Sequence, residues 1–491
     1  MPFSSRPRSA RRTDWPVPER HDRSTASRTQ AHSLAGAPGR HLERAVPCRG
    51  RHVRPSYPSY RDSGISWLGE LPAHWPTVAL LRKFGVVNGG TPPSGDEECW
   101  DGDIVWLTPD DLGQNMSAVI SDSRRKVTER GVQASSASVS PEGSLVLSTR
   151  APIGHLAIAG VPVATNQGCR TLLPKGETDS AYAYYSMCVF KPVLQALGKG
   201  STFMELSSAD LRMLRVPSPP MGEQKQIAAF LDRETGQIDG LIAKQRELIE
   251  RLGEYRTALI TRVVTKGLPP EAAGPNPAPK LKDSGVERLG QVPDNWQVRT
   301  LRQVCRLSYG DSLRSDERAE GDVQVFGSNG VVGSHDAANT HAPTIIVGRK
   351  GSFGKVNFSP EAVFAIDTTY YIDERSTETN LRWLYYVLRS ASLDDVTQDS
   401  AVPGLSRDDA YARWLPVPPR SVQDEIACHL DRRVVRIAET IQNAEAQIDR
   451  LHEYRAAIIS AAVTGKIDVR DTGSADAAAT GAPSVASEAA A

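Results

Sequence analysis

The same pattern is written twice along this chain. Asp62-Ser63-Gly64-Ile65, Leu68-Gly69, Pro72 and Trp75 return as Asp283-Ser284-Gly285-Val286, Leu289-Gly290, Pro293 and Trp296. Further on, Pro219-Pro220-Met221-Gly222-Glu223-Gln224 leads through Ile227-Ala228 and Leu231-Asp232 to Glu254-Tyr255-Arg256. It returns as Pro418-Pro419, then Gln423, Ile426-Ala427, Leu430-Asp431 and Glu453-Tyr454-Arg455. The first pair is offset by 221 positions and the second by 199, so matching ends enclose middles that differ by about 22 residues. A repeat of this size fixes the architecture before any local reading. A domain followed by a helix is used twice, and the divergence of the interiors points to two different readings rather than one reaction.

Both copies are mixed. In the first, Ile104-Val105-Trp106-Leu107, Ser144-Leu145-Val146-Leu147 and Leu156-Ala157-Ile158-Ala159 read as short strands between Gly/Pro turns, with a helix over 181–197. In the second, Thr344-Ile345-Ile346-Val347 and Ala362-Val363-Phe364-Ala365-Ile366 read as strands, with a helix over 381–389. Each unit is followed by a long helix whose apolar residues recur in threes, fours and sevens. The stripes hold Leu231, Ile238, Ile242, Ile249, Leu252 and Leu259 in the first helix, and Leu430, Ile437, Ile441, Ile448, Leu451 and Ile458 in the second. That is a coiled-coil seam, although a single such stripe also fits a core-facing helix. Five prolines within 269–279 make a stiff connection that reverses the chain, so the two helices are expected to lie antiparallel. At 1.5 Å per residue, about 43 residues give a rod of roughly 64 Å.

The expected fold is therefore α+β: tandem domains separated by two long helices in an antiparallel coiled coil, with pseudo-twofold symmetry. The expected divisions are a basic lead at 1–56, a first domain at 57–220, a spacer helix at 221–268 and a Pro-rich linker at 269–282. A second domain at 283–419, a second spacer helix at 420–468 and a tail at 469–491 complete the chain. Lead and tail read as disordered. The lead holds twelve arginines, no lysine and four acids over 1–54. It is superficially similar to a transit peptide, or is translated upstream sequence from an overlong start.

Composition narrows the class. With 39% hydrophobic and 24% charged residues and no apolar run near 18, a membrane span is not expected. The six cysteines are scattered without a C-x-x-C pair, so neither a zinc site nor a disulfide framework is indicated, and a reducing cytoplasm fits. Catalytic motifs are missing: there is no H-E-x-x-H, no G-x-S-x-G and no G-x-G-x-x-G opening a helix. The Gly348–Lys355 turn is not a phosphate loop, since Arg349 stands where a glycine is required and Val356 replaces the magnesium-binding hydroxyl. The paired acids Asp110-Asp111, Asp394-Asp395 and Asp408-Asp409 read as solvated turns. The chain is expected to break no bonds and to need no metal or cofactor of its own.

Phosphate contacts need cations or backbone amides, and base contacts need polar side chains set in a groove. Two glycine turns carry such groups at equivalent places, each between two strands. The first, Ser148–Gly154, offers Thr149 and Arg150; the second, Gly348–Gly354, offers Arg349, Lys350 and Ser352. A further equivalent pair is Lys199-Gly200-Ser201-Thr202, offering Lys199, Ser201 and Thr202, with Ser400-Ala401-Val402-Pro403-Gly404. A plain structural turn is the competing reading for each, and for Asn166-Gln167, whose amides suit adenine. Against a free-standing DNA binder, both domains lean slightly acidic, so affinity must come in part from a partner.

One family carries these features together: the opening Tyr57…Tyr60-Arg61-Asp62-Ser63-Gly64-Ile65-Ser66-Trp67-Leu68-Gly69-Glu70-Leu71-Pro72…His74-Trp75, the Gly89-Gly90-Thr91-Pro92 turn, Trp106-Leu107-Thr108-Pro109-Asp110-Asp111-Leu112 and Gly200-Ser201-Thr202-Phe203-Met204-Glu205-Leu206 ahead of Pro217-Ser218-Pro219-Pro220. Over roughly 57–468 the chain resembles the specificity subunit of type I restriction–modification enzymes. The resemblance implies two target-recognition domains, each reading half of a split, asymmetric site in double-stranded DNA. It implies no catalytic centre, and docking to two methyltransferase subunits that bind S-adenosylmethionine and to two motor-nuclease subunits that use ATP and Mg. Two other readings stay open on the residues alone: the chain as the methyltransferase or nuclease itself, or as an assembly scaffold that reads nothing.

Overall fold

Two helices organise everything else. In the computed structural model, which describes residues 55–200, 204–272, 279–395 and 404–470, they run over Met221–Lys266 and Arg420–Val463, 46 and 44 residues long. At 1.5 Å per residue each is about 66–69 Å in length. Their pairing is antiparallel, and three cross-contacts show it: Arg455 Nε donates to Asp239 Oδ1 (3.1 Å), Gln245 Nε2 to Gln447 Oε1 (2.9 Å) and an Arg433 guanidinium nitrogen to Tyr255 Oη (3.0 Å). As the position rises along one helix it falls along the other. Prolines precede both helices, and Gly267 and Gly465, both at positive φ, follow them.

Burial along the stripes is uneven. Leu231, Ile238, Leu430, Ile437 and Ile458 are buried, and so is Ile242 at the midpoint of the first helix. Ile249, Leu252, Leu259, Ile441, Ile448 and Leu451 are only half-buried. A helix with a single partner keeps a flank in water, whereas the ends are also covered by the domains. Tyr255 and Tyr454 continue the stripe in sequence but are exposed, and Tyr255 serves as a polar acceptor instead.

The first domain carries a five-stranded sheet in the order Phe84–Asn88, Cys169–Pro174, Leu145–Ser148, Leu156–Ala159, Val119–Ile120; only the last pair is parallel. The second carries the matching four strands Ser308–Tyr309, Thr369–Ile372, Thr344–Gly348, Val356–Ser359, all antiparallel. Each has a three-stranded companion, around Trp100–Leu107 in the first and Val323–Gly327 in the second. Here the interiors part. Residues 108–125, with a short helix at Pro109–Gln114, follow the first central strand, whereas Ser328-Asn329 alone turn the second into a hairpin. Small ladders, Thr77–Ala79 with Arg215–Pro217 and Gln297–Thr300 with Trp414–Val417, close each domain just before its Pro-Pro pair.

Each domain grips both long helices with one short helix, Ser180–Val189 or Leu381–Ser390. The side chains used are the repeated ones. Tyr185 Oη donates to Asp232 Oδ1 (2.7 Å), and Tyr386 Oη to Asp431 Oδ1 (2.6 Å). Buried Gln224 accepts from the Asp179 amide (2.9 Å) and donates to Pro219 O (2.8 Å); buried Gln423 does the same with Asn380 (2.8 Å) and Pro418 (2.9 Å). At the far ends the chain after each long helix meets a repeated tryptophan: a Cβ on Gly465 would lie 3.2 Å from the Trp75 ring, and one on Gly267 would lie 3.6 Å from Trp296. Trp75 in turn donates to Glu223 (2.8 Å).

Several sequence expectations shift. The helix over 181–197 is two helices, Ser180–Val189 and Lys191–Ala196, because Pro192 has no amide to continue the first. The strand over 362–366 shrinks to Phe364–Ala365. The second long helix ends at Val463, short of 468, and residues assigned to the tail pack: Val469 is buried, and Arg470 pairs with Asp468 and stacks on Tyr57. The basic lead before 55, the linker segment 273–278 and the tail from 471 lie outside the described residues.

Two outcomes follow from this packing. Leu231→Ala, at a fully buried end position, should cost about 2–5 kcal/mol in urea unfolding, and Leu252→Ala, half-buried in the middle, clearly less; equal costs would contradict an end-anchored rod. Burial first, then Arg433 and Arg432, lowers the His429 pKa below its ordinary 6.5, and its Nε2 has no partner among the described residues. The unfolded chain therefore takes this proton first. The stability contribution is whole above pH 6.5 and is lost as pH falls through the depressed folded value. His429→Gln should flatten that part of the stability–pH curve.

Candidate nucleic-acid interface

The two glycine turns are built on one backbone plan. Thr149 and Arg150 amides both donate to Gly168 O (2.8 and 3.2 Å), as Arg349 and Lys350 amides both donate to Thr368 O (2.8 and 3.2 Å). The Leu206 amide reaches Thr149 O (2.8 Å), and the Leu405 amide reaches Arg349 O (2.9 Å). Each turn closes with a glycine amide on the strand end, Gly154 to Ser148 O (3.0 Å) and Gly354 to Gly348 O (2.8 Å). Both closing glycines sit at positive φ, +96° and +76°, where a side chain would be strained. Strand hydrogen bonding thus sets Arg150 and Lys350 at equivalent points on opposite heads.

The side chains differ. Arg150 Nε lies 3.2 Å from Glu205 Oε2, and Arg170 reaches Glu205 Oε1 at 3.3 Å. Lys199 Nζ pairs with Asp210 (3.0 Å), and that ammonium, helped by Ser207, holds the Asp210 carboxyl below the usual carboxylate range. In the second head Arg349 donates to Asp367 O (3.1 Å) and stacks on Tyr309, 5.0 Å from the ring centre. Arg407 also stacks on Tyr309, at 5.0 Å, and that ring is 45% exposed. Burial, reinforced by Tyr309, pushes the neighbouring Tyr370 phenol up to about 12. Lys350 and Ser352 are exposed.

Of the residues singled out from sequence, Arg150, Lys199, Arg349, Lys350 and Ser352 lie at the turns. Thr149 does not face outward: it is fully buried, with its hydroxyl 3.3 Å from Gly168 O. Ser201 and Thr202 lie outside the described residues, as does 400–403. Asn166 is a turn residue, its side chain accepting from the Gly168 amide (2.9 Å), while Gln167 is exposed and meets the Thr91 hydroxyl. The paired acids include helix caps: Asp111 completes a capping box with Thr108, and Asp409 bonds the Ser406 hydroxyl. Sequence reading missed Glu205, Arg170, Tyr309 and Arg407. The repeat offset carries a signal for the first of these, since position 205 recurs at 404.

Among the described residues no group of three His, Cys, Asp or Glu side chains could hold a metal, and no helix is long and apolar enough to cross a membrane. Fold and turns together define a two-headed chain, with an equivalent cationic turn on each head and a helical rod between. The family model for the type I restriction modification DNA specificity domain matches residues 77–251 and 293–450, more than half of the chain, and the chain belongs to that family. Among its relatives is the type I restriction enzyme MjaIX specificity subunit of Methanocaldococcus jannaschii, 27% identical over 82% of this chain and 96% of that one. The EcoprrI specificity subunit of Escherichia coli is 24% identical over 76% of this chain and 90% of that one. A solved chain from work on complex assembly and conformational transition of the type I R-M system superposes with a TM-score of 0.56 at 16% identity, covering 81% of this chain and 99% of that one, which shows a shared fold.

Proposed function

We propose that the chain is the DNA-reading subunit of a type I restriction–modification complex. Residues 57–220 and 283–419 each engage one half of a split site in duplex DNA, and the two long helices set the gap between the halves. The observation that carries the reading is the placement of equivalent cationic turns, around Arg150 and around Lys350, on two heads that grip opposite ends of one antiparallel helix pair. Because the heads differ between the central strands, the two half-sites should differ in sequence.

The chain reads and does not cut or methylate. Methyltransferase subunits carrying S-adenosylmethionine and motor-nuclease subunits using ATP and Mg supply the chemistry, two of each being the arrangement that matches two heads. Near-neutral heads fit this division, since much of the phosphate contact then comes from the partners. Arg349, Lys350, Ser352, Arg150 and Lys199 are the residues proposed to meet DNA, with Ser201 and Thr202 beside them in sequence.

Methylome sequencing of a host with and without the gene tests the reading. Loss of a single asymmetric bipartite N6-methyladenine motif is expected; an unchanged methylome, or methylation by the purified chain alone, contradicts it. In the assembled complex Lys350→Ala should weaken binding evenly across sequences and reduce the slope of log affinity on log salt by about 1, as for one lost phosphate contact.

A further inference from the structure

The two heads are not electrostatically equal, and backbone pairing locates the difference at one position. Arg150 forms an isolated antiparallel bridge with Glu205, and Lys350 forms the same bridge with Gly404. The adjoining Leu206 and Leu405 amides bond equivalent carbonyls, Thr149 O and Arg349 O. Glu205 and Gly404 are therefore the same place in the two heads. In the first it carries a carboxylate; in the second it carries no side chain.

That carboxylate bridges two guanidiniums, 3.2 Å from Arg150 and 3.3 Å from Arg170. Arg170 is itself fixed, by Ser208 Oγ (3.0 Å) and Gln167 O (2.8 Å). An anion with two oxygens shared between two arginines has the charge and geometry that a phosphodiester takes in the same setting. Glu205 is 36% exposed in its side chain, so the position is open to a competing anion. At the equivalent point of the second head, no carboxylate pairs with Lys350 among the described residues, and Arg349 and Arg407 are held by the Tyr309 ring rather than by an acid.

We propose that Glu205 is a resident stand-in for a DNA phosphate, displaced when the first head engages its half-site. Resting on the DNA-reading assignment above, this gives the heads unequal roles. The second presents cations that no carboxylate pairs with among the described residues, and captures duplex first; the first engages only as a backbone phosphate replaces Glu205 between Arg150 and Arg170. Glu205 thereby restrains the first head on DNA that lacks enough contacts to drive the exchange.

The test uses the full chain assembled with its methyltransferase subunits, and duplexes in which one or the other half-site is scrambled. Glu205→Gln keeps the size and shape but removes the charge, and its single amide oxygen can accept from only one of the two guanidiniums. It should tighten binding to the duplex retaining the first head's half-site by roughly three- to tenfold at low salt, and steepen the log–log salt slope by about 0.9 per phosphate gained. The duplex retaining only the other half-site should be unaffected. Gly404→Glu should weaken the second head alone, with Gly404→Ala as the control for a Cβ that would lie 3.0 Å from Arg349 O. Weaker or unchanged binding by Glu205→Gln, in a complex with wild-type melting behaviour, overturns the proposal and leaves the DNA-reading assignment standing. A wild-type complex that binds scrambled and intact sites equally overturns both.

Discussion

Antiparallel packing of two helices, each about 45 residues long, is the constraint on which the rest of the molecule depends. Neither helix could stand alone as a straight element of this length in water, since most helical stability in proteins comes from tertiary packing of an apolar face. Paired, they bury each other's stripes. The polar cross-contacts Asp239–Arg455, Gln245–Gln447 and Tyr255–Arg433 then select direction and register. Exposed pairs of this kind are worth only tenths of a kcal/mol to about 1 kcal/mol each, so apolar burial holds the rod together and the polar contacts define its alignment.

The heads are fixed to that rod by groups whose loss would leave buried polar atoms unpaired. Gln224 and Gln423 each tie a short-helix N-terminus to the Pro-Pro segment before a long helix, and Tyr185–Asp232 and Tyr386–Asp431 tie the same short helices to the rod. An intramolecular hydrogen bond contributes about 0.5–1.5 kcal/mol net, but an orphaned buried partner costs more. Such contacts make the angle between head and rod definite. A recognition loop built on strand hydrogen bonds inherits that definiteness, which is how the long helices can dictate where Arg150 and Lys350 sit.

Much of this was legible from the repeat. Pro219-Pro220 to Gln224 and Pro418-Pro419 to Gln423 announced a junction used twice, and the heptad stripes announced two helices with one face each. What escaped sequence reading depended on neighbours. Leu252 and Ile448 obey the same spacing as Leu231 and Leu430 yet stay half in water, whereas Leu231 and Leu430 sit beside Asp232 and Asp431, where a head is tied to the rod. Thr149 looked like a contact residue and is a buried strand-end hydroxyl, since strand pairing turns it toward Gly168. Glu205 stood in the 200–206 block without a role, because its meaning lies in the cations across the bridge, not in its own segment.

The most direct test is to lengthen both helices together by seven residues near Gln245 and Gln447 and to footprint the assembled complex on DNA. Seven residues preserve the stripe and add about 10.5 Å of rod, close to three base pairs at 34–36 Å per turn. The expected result is two unchanged half-sites separated by about three more base pairs. An unaltered spacing, or the loss of one half-site with the other retained, would contradict a rigid rod that measures the distance between two readers.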